Sequence, residues 1–198
     1  VIGIQKGIIK SLSLSSNENI KTKTIIVATG ARWRELNVPG EKENLGNGVA
    51  YCPHCDGPFF KDKDVAVVGG GNSGIEAALD LSGIVNNVTV LEFMPELKAN
   101  NILVDKAKAK DNITIIKHAQ VEQVNSSSGK VTGLDYIDRN TSNKMTINLD
   151  GIFVQIGLVP NSQFLENVID LNPYGEIIVN ENGETSEKGI FACGDVTT

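Results

Sequence analysis

The central part of the chain alternates between short apolar runs and amphipathic stretches. Residues 65–68 form a continuous apolar run, which is typical of a parallel strand buried on both faces. A glycine turn follows, and then apolar residues recur at helical spacing up to Gly83. Strand-like runs at 88–93 and 113–116, with a weaker helical segment at 101–110 between them, complete a β-α-β-α-β order. This order predicts an α/β fold with a doubly wound, nucleotide-binding sheet.

The segments on either side of this region follow a different pattern. Residues 121–149 hold three strand-like runs separated by polar turns, which predicts an antiparallel β-meander. Residues 2–30 predict a hairpin whose second arm ends in a buried strand. The C-terminal part predicts a strand at 151–157, a short helix, and strands at 176–179 and 189–193.

Composition and charge narrow the possible function classes. The 198 residues are 40% hydrophobic, enough for a real core, and the net charge is −6 with both signs interspersed. This balance argues against nucleic-acid binding, and no apolar run approaches the roughly 20 residues that a membrane span needs. No signal peptide is visible and three cysteines do not make a disulfide scaffold, so a cytoplasmic location is expected. Because the chain starts at Val1, its true N-terminus is expected to lie upstream.

The glycine turn after the strand at 65–68 predicts a dinucleotide site. Its GxGxxG spacing lets the backbone approach a pyrophosphate closely, and the next helix directs free N–H groups at the phosphates. Glu92 ends the following strand, where an acid accepts hydrogen bonds from the adenosine ribose and repels the 2′-phosphate of NADP. Phe93 and Met94 come next, so no arginine is expected at hand for that phosphate, and the pattern favours NADH. The predicted NADH-binding residues are Gly69, Gly71, Asn72, Ser73, Gly74 and Glu92.

Cys52 and Cys55 form a Cys-x-x-Cys pair close to this turn, since Gly69 comes fourteen positions after Cys55. On the first turn of a helix, with Pro53 at the first position, such a pair can close a small ring, and the helix N-terminus stabilises its thiolate. Asp56 follows directly and can give or take a proton. A dithiol beside a dinucleotide site indicates that electrons move between a nicotinamide and a disulfide.

Other interpretations of the cysteines fit the chain less well. The two cysteines could be half of a zinc site, but a closed site needs four ligands. The chain offers no second pair at ligand spacing, so no metal is expected. A purely structural disulfide is unusual in a cytosolic protein. The sequence Cys-Pro-His-Cys also occurs in thioredoxin-fold oxidases, but in those proteins no strand, glycine turn and helix are expected after it. Cys193 lies in an apolar segment and is predicted to be a buried, inert thiol.

Four motifs occur in an order that resembles the low-molecular-weight thioredoxin reductases. The redox box reads Cys-Pro-His-Cys-Asp-Gly-Pro, and the segment 91–96 stands where NADPH-dependent members carry arginines. In both respects the chain resembles the flavoprotein F subunits of bacterial alkyl hydroperoxide reductase. The resemblance covers essentially the whole chain, and its motifs are residues 27–30, 52–56, 69–74 and 191–195.

The resemblance implies a two-domain flavoprotein that uses FAD and NADH. It implies a partial FAD-binding domain of the doubly wound type at residues 1–35 and 153–198. An NADH-binding domain that carries the redox-active cysteines is then inserted at residues 36–152. Gly157 matches a segment near the nicotinamide, and the residues that match FAD-contacting motifs are Thr29, Gly30, Gly194 and Asp195.

The resemblance also implies an enzyme with defined roles and partners. Cys55 matches the cysteine that faces the flavin, Cys52 the one that attacks the partner disulfide, and Asp56 the acid that manages the proton. Electrons would pass from NADH through FAD to this pair, then to a dithiol protein domain and a peroxiredoxin. The full-length protein is expected to be a homodimer.

Two alternatives stay open on the sequence. The first is a thioredoxin reductase that serves a free thioredoxin, and the second is a chain that only binds NADH. A glycine-rich FAD motif does not precede residues 27–30, so the chain is expected to be an internal piece of a longer flavoprotein. It is therefore predicted to retain little FAD by itself.

Overall fold

The computed structural model describes all 198 residues, and they form two compact units. The outer unit comprises Val1–Trp33 and Leu158–Thr198, and the central unit is the continuous stretch Arg34–Gly157 that interrupts it. The sequence-based boundary between residues 152 and 153 falls inside a strand of the central unit. The central unit therefore extends to Gly157, because that strand belongs to its sheet.

The outer unit contains seven short strands. They are β1 (Gly3–Gln5), β2 (Lys10–Ser13), β3 (Asn19–Thr22), β4 (Ile25–Val27), β5 (Ala31–Trp33), β14 (Leu158–Pro160) and β15 (Ile190–Ala192). Strands β1, β2 and β3 form an antiparallel sheet, β14 pairs antiparallel with β5, and β15 pairs parallel with β4. Its buried core includes Val27, Leu165, Ile177, Ile190 and Val196.

The structure corrects three predictions in the outer unit. The hairpin of residues 2–30 stops at β3, and the buried strand β4 pairs instead with β15. No strand forms at 176–179, because Ile177 donates to Val196 O while Ile178 donates to Asp170 O, so no continuous ladder can form. The last strand ends at Ala192, which leaves Cys193 outside it.

The central unit contains eight strands and three α-helices. The strands are β6 (Val49–Ala50), β7 (Asp64–Val68), β8 (Asn87–Leu91), β9 (Ile113–Ile116), β10 (Ala119–Ser127), β11 (Lys130–Asp138), β12 (Asn143–Asn148) and β13 (Gly151–Val154). The helices are α1 (Pro53–Asp56), α2 (Asn72–Ser82) and α3 (Asn101–Lys108). No helix of the chain is long and apolar enough to cross a membrane.

The predicted doubly wound sheet and meander are confirmed. Strands β6-β13-β7-β8-β9 form an all-parallel sheet in that order, and β10-β11-β12 form an antiparallel meander. Alternate residues of β7 enter two different cores. Val65 and Val67 pack with helices α2 and α3, whereas Ala66 and Val68 pack with the meander. The continuous apolar run at 65–68 is therefore explained by burial on both faces.

The strand order also locates the edge where a ligand is expected. Along β9-β8-β7-β13 the chain order is 3-2-1-4, so the direction of winding reverses between β7 and β13. In open α/β sheets, ligands bind outside the carboxyl ends of the strands at such a switch point. Here the residues directly beyond those two ends are Gly69 and Gln155.

Candidate functional site

The glycine turn after β7 has the tight geometry that its sequence predicts. Gly69 has a φ of +121°, a conformation that favours glycine. A Cβ added to Gly74, in the first turn of α2, would overlap the carbonyl oxygen of Gly69. This close approach of helix to strand brings the start of α2 directly beside the strand end. The third glycine of the motif is therefore fixed by packing within the protein.

Gly71 differs, because a Cβ added to it would meet no protein atom within 4 Å. Its φ of −80° is available to any residue. Packing within the protein therefore does not explain a glycine here, and the position leaves open space beside the turn. Gly71 is also the N-cap of α2, and no side chain caps the helix, so its first N–H groups face outward beside this space.

Glu92 lies at the end of β8 with its carboxylate held by backbone donors. The side chain is 8% exposed, and its Oε2 accepts from Gly70 N at 2.6 Å. Its Oε1 accepts from Met94 N at 2.7 Å. These bonds bind the acid to the glycine turn, 22 residues away in sequence, and fix it as a carboxylate acceptor at the cavity edge.

Two cavities open at this edge of the sheet, and they share the lining residues Gly69, Glu92 and Ile156. The smaller has a volume of about 340 Å³ and is lined by the glycine turn, Lys98 and Gln155. The larger, of about 710 Å³, lies between the strand ends, the start of β10 and the loop at 36–39. The predicted residues Gly69, Gly71, Asn72, Ser73, Glu92 and Gly157 all line the smaller cavity.

The structure corrects the expectation that no arginine stands near Glu92. Arg139, at the end of β11, lies over the ring of Phe93 with 3.8 Å from its Cζ to the ring centroid. Its Nη1 donates to Phe93 O at 2.8 Å. Sequence reasoning missed Arg139 because it comes 46 residues after Phe93 and only the meander brings it back. Lys98, Gln155 and Gly70 were missed too, since none stands at a fixed motif position.

Cys52 and Cys55 are joined by a disulfide, with Cα atoms 5.3 Å apart. Pro53 begins helix α1, and Cys52 is its N-cap, whose Sγ accepts from Cys55 N at 3.2 Å. This geometry is the one predicted for a redox pair at a helix N-terminus. Cys55 is exposed and Cys52 is half-buried, and Asp56 ends the same turn of helix.

The four predicted FAD residues lie at one end of the β4–β15 pair in the outer unit. Thr29 and Gly30 follow β4, and Gly194 and Asp195 follow β15, which runs parallel to it. Asn161 fixes the first pair, since it exchanges hydrogen bonds with Thr29 and donates to Gly30 O. A Cβ added to Gly30 or Gly194 would meet no protein atom within 4 Å. The parallel pairing therefore brings the two motifs together beside open space.

Cys193 is exposed, so the prediction of a buried thiol is wrong. The apolar pattern that suggested burial belongs to β15, which ends one residue earlier at Ala192. Gly194, with a φ of +80°, then turns the chain. An alternating strand pattern does not extend through such a turn, which is why periodicity misplaced this side chain.

Comparison with known proteins decides the family. Residues 1–198 match the family model described as pyridine nucleotide-disulphide oxidoreductase. The chain belongs to this family. Within the family it is 53% identical over 194 residues to the "NADH dehydrogenase" of Bacillus subtilis (strain 168), a match covering 98% of this chain and 38% of that protein. It is 52% identical over 193 residues to the alkyl hydroperoxide reductase F subunit of Escherichia coli (strain K12), covering 98% of this chain and 37% of that protein.

Several of the solved structures that resemble this chain are thioredoxin reductases. That of T. acidophilum has 38% identity and a TM-score of 0.84, and the match covers all of this chain and 65% of that one. That of Lactococcus lactis has 33% identity and a TM-score of 0.86, with the same coverage. The resemblance inferred from the motifs is thus confirmed for the family. The chain spans less than two fifths of the length of the curated relatives that it matches.

Proposed function

We propose that the chain is the catalytic part of an NADH-dependent flavoprotein disulfide reductase. The observation that carries this proposal is the disulfide Cys52–Cys55 at a helix N-terminus in the same compact unit as the glycine-turn cavity at the edge of the parallel sheet. Its family pairs a pyridine nucleotide with a disulfide by description. Relatives named as NADH dehydrogenase support NADH as the donor.

The small cavity is suited to the pyrophosphate and adenosine ribose of NADH. The uncapped start of α2 offers N–H donors to the phosphates, and Gly71 leaves the room for them. Lys98 adds a cation to the cavity lining. Glu92 keeps unused lone pairs for ribose hydroxyls. We place the adenine in the adjoining larger cavity, whose lining includes Leu36, Val38 and Val121.

FAD is assigned to the outer unit, where Thr29, Gly30, Gly194 and Asp195 would hold it. When bound, FAD supplies the transfer of an electron pair from NADH to the disulfide. The open space at Gly30 and Gly194 suits close approach of a cofactor to the backbone. The domain boundaries that we propose follow the two units, with FAD on the outer one and NADH on the central one.

Two electrons and two protons convert the Cys52–Cys55 disulfide into two thiols. Cys52 is assigned as the thiol that attacks the next disulfide, because the N–H of Cys55 already points at its sulfur and would stabilise a thiolate. Cys55 is assigned to the flavin side, and Asp56 to the uptake and return of the proton.

The proposed acceptor chain is a dithiol protein domain followed by a peroxiredoxin. This choice over a free thioredoxin rests on the relatives named as F subunits of alkyl hydroperoxide reductase, at 52% identity. The thioredoxin reductases among the matched structures stand at 26–38% identity. We further propose a homodimer for the full-length protein and a cytoplasmic location, where a cysteine pair can cycle between disulfide and dithiol.

The proposal is tested by counting thiols. The oxidised chain is incubated anaerobically with NADH and excess FAD, then alkylated and weighed by mass spectrometry. We expect the chain to gain two alkyl labels, and only when both NADH and FAD are present. The Cys52→Ser variant should show no gain of labels on addition of NADH and FAD. A chain that neither binds NADH nor gains thiols would refute the proposed function.

We predict that the purified chain contains substoichiometric FAD. GxGxxG occurs once in these residues, and the central unit carries it, so the outer unit offers FAD no glycine-turn helix for its phosphates. The absorbance ratio of 450 nm to 280 nm after gel filtration measures the content. A yellow protein with one flavin per chain would show that Thr29, Gly30, Gly194 and Asp195 suffice.

We predict that reduced Cys52 ionises below the usual thiol pKa of about 8.5, since the helix N-terminus and the Cys55 N–H favour its thiolate. The reduced chain is alkylated with limiting iodoacetamide over a pH series. The variants Cys52→Ser and Cys55→Ser show which alkylation rate belongs to Cys52 and which to Cys55. Cys193 is exposed and serves as the internal reference for alkylation of a thiol outside the redox pair. If Cys52 is alkylated no faster than Cys193 at every pH of the series, the assignment of Cys52 as the exchanging nucleophile fails.

A further inference from the structure

Gln155 connects the glycine turn to the segment that carries the cysteines. It follows β13 at the switch point of the sheet, is 7% exposed and lines the small cavity. Its backbone N donates to Val68 O at 2.7 Å, and its carbonyl oxygen lies so close to Gly69 that any Cβ there would overlap it. Its side-chain Nε2 donates to Tyr51 O at 2.7 Å.

Tyr51 is the residue directly before Cys52, and its other end is anchored as well. Its hydroxyl donates to Oε1 of Glu41 at 3.0 Å, and Glu41, 1% exposed, also accepts from the N–H groups of Leu36 and Asn37. Burial and the Glu41 carboxylate raise the pKa of Tyr51, so the phenol keeps its proton and remains a donor. The entry to the redox helix is thus held at two points, and one of them is the Gln155 side chain.

We infer that Gln155 is a positioning residue that couples occupancy of the nucleotide site to the redox state of Cys52–Cys55. An occupant of the cavity would contact Gln155, and the hydrogen bond from its Nε2 to Tyr51 O would connect that contact to the peptide before Cys52. The inference rests on the proposed function, because it takes a dinucleotide as the occupant of the cavity.

The proposed coupling predicts which redox state the nucleotide favours, and it predicts two measurable effects that must agree. The Gln155–Tyr51 bond is present together with the disulfide. Our inference takes this arrangement as the one that a bound nucleotide stabilises, so the nucleotide should favour the disulfide state. Binding should then be tighter to the oxidised chain, and the nucleotide should lower the reduction potential of the pair. By linkage the two effects must agree, because a tenfold ratio of affinities equals 29.6 mV for a two-electron couple.

The experiment uses ADP-ribose, which has both riboses and the pyrophosphate but accepts no hydride. Its dissociation constant is measured by calorimetry for the oxidised chain and for the chain reduced with a phosphine. The reduction potential is measured separately in dithiothreitol redox buffers with and without saturating ADP-ribose. We expect about a fivefold or larger affinity ratio, at the low end of usual coupling, and a matching fall of about 20 mV or more.

A matched pair of variants assigns the effect. Gln155→Met keeps the side-chain length and removes the donor to Tyr51 O, and it should bring the affinity ratio close to one. Gln123→Met makes the same change at an exposed position of β10 and should leave the ratio unaltered. Thermal unfolding confirms that both variants are folded.

The possible failures are distinguishable. Equal affinity of the oxidised and reduced wild-type chain for ADP-ribose overturns the coupling, whatever the variants do, and leaves the proposed function standing. A ratio that persists in Gln155→Met overturns the role of Gln155. An absence of binding to either form contradicts the proposed function itself.

Discussion

Replacing Gly74 by alanine should destabilise the central unit by about 1–3 kcal/mol, the usual cost of forcing an extra methyl group into a packed site. The result runs against helix propensity, since alanine inside a helix is ordinarily better than glycine by about 1 kcal/mol. The reason is that the new Cβ would overlap the carbonyl oxygen of Gly69, a backbone atom that cannot rotate away. Urea unfolding followed by circular dichroism measures the change.

Gly71→Ala is the matched control, because it makes the same chemical change three residues earlier. Its Cβ would meet no protein atom, so only the poorer N-cap should cost stability, by less than about 1 kcal/mol. The methyl group would stand in the space assigned to the pyrophosphate, so NADH affinity should fall at least tenfold. If Gly71→Ala binds NADH as well as the wild type does, the phosphates do not lie at this turn.

The sequence predicted the central unit well, because each of its signals is local. The run at 65–68 is buried on both faces of a parallel sheet, and a glycine spacing of two and three residues encodes its own turn. Pro53 after Cys52 likewise encodes the first helical position. These features need no knowledge of what lies across the fold.

Prediction from the sequence failed where the contacts of a residue are made by segments far away along the chain. Residues 176–179 look like a strand, but their backbone groups bond to two different segments. Gln155 and Arg139 belong to no motif. Strand β13 brings Gln155 to the switch point, and the meander brings Arg139 to Phe93 beyond the end of β8. Cys193 was misplaced because a single left-handed glycine ends its strand.

The chain should bind NADH more tightly than NADPH, and Glu92→Gln should narrow this preference. The 2′-phosphate of NADPH would approach a carboxylate whose two oxygens are already held in place by Gly70 N and Met94 N. A hydrogen bond to a charged group contributes about 1.5–3 kcal/mol, so loss of the charge should change the ratio of dissociation constants by about 10- to 100-fold. Calorimetry with both nucleotides measures it.

The controls separate local from general electrostatic effects. Glu96→Gln removes the same charge from an exposed side chain that pairs with Lys117, and it should leave the preference for NADH unchanged. Once Glu92 is neutral, Arg139, which packs on the ring of the adjacent Phe93, should attract the 2′-phosphate. The double variant Glu92→Gln with Arg139→Met should therefore lose the gain in NADPH affinity. Equal or tighter NADPH binding by the wild-type chain would contradict the assignment of Glu92, because its carboxylate is the feature that excludes the extra phosphate.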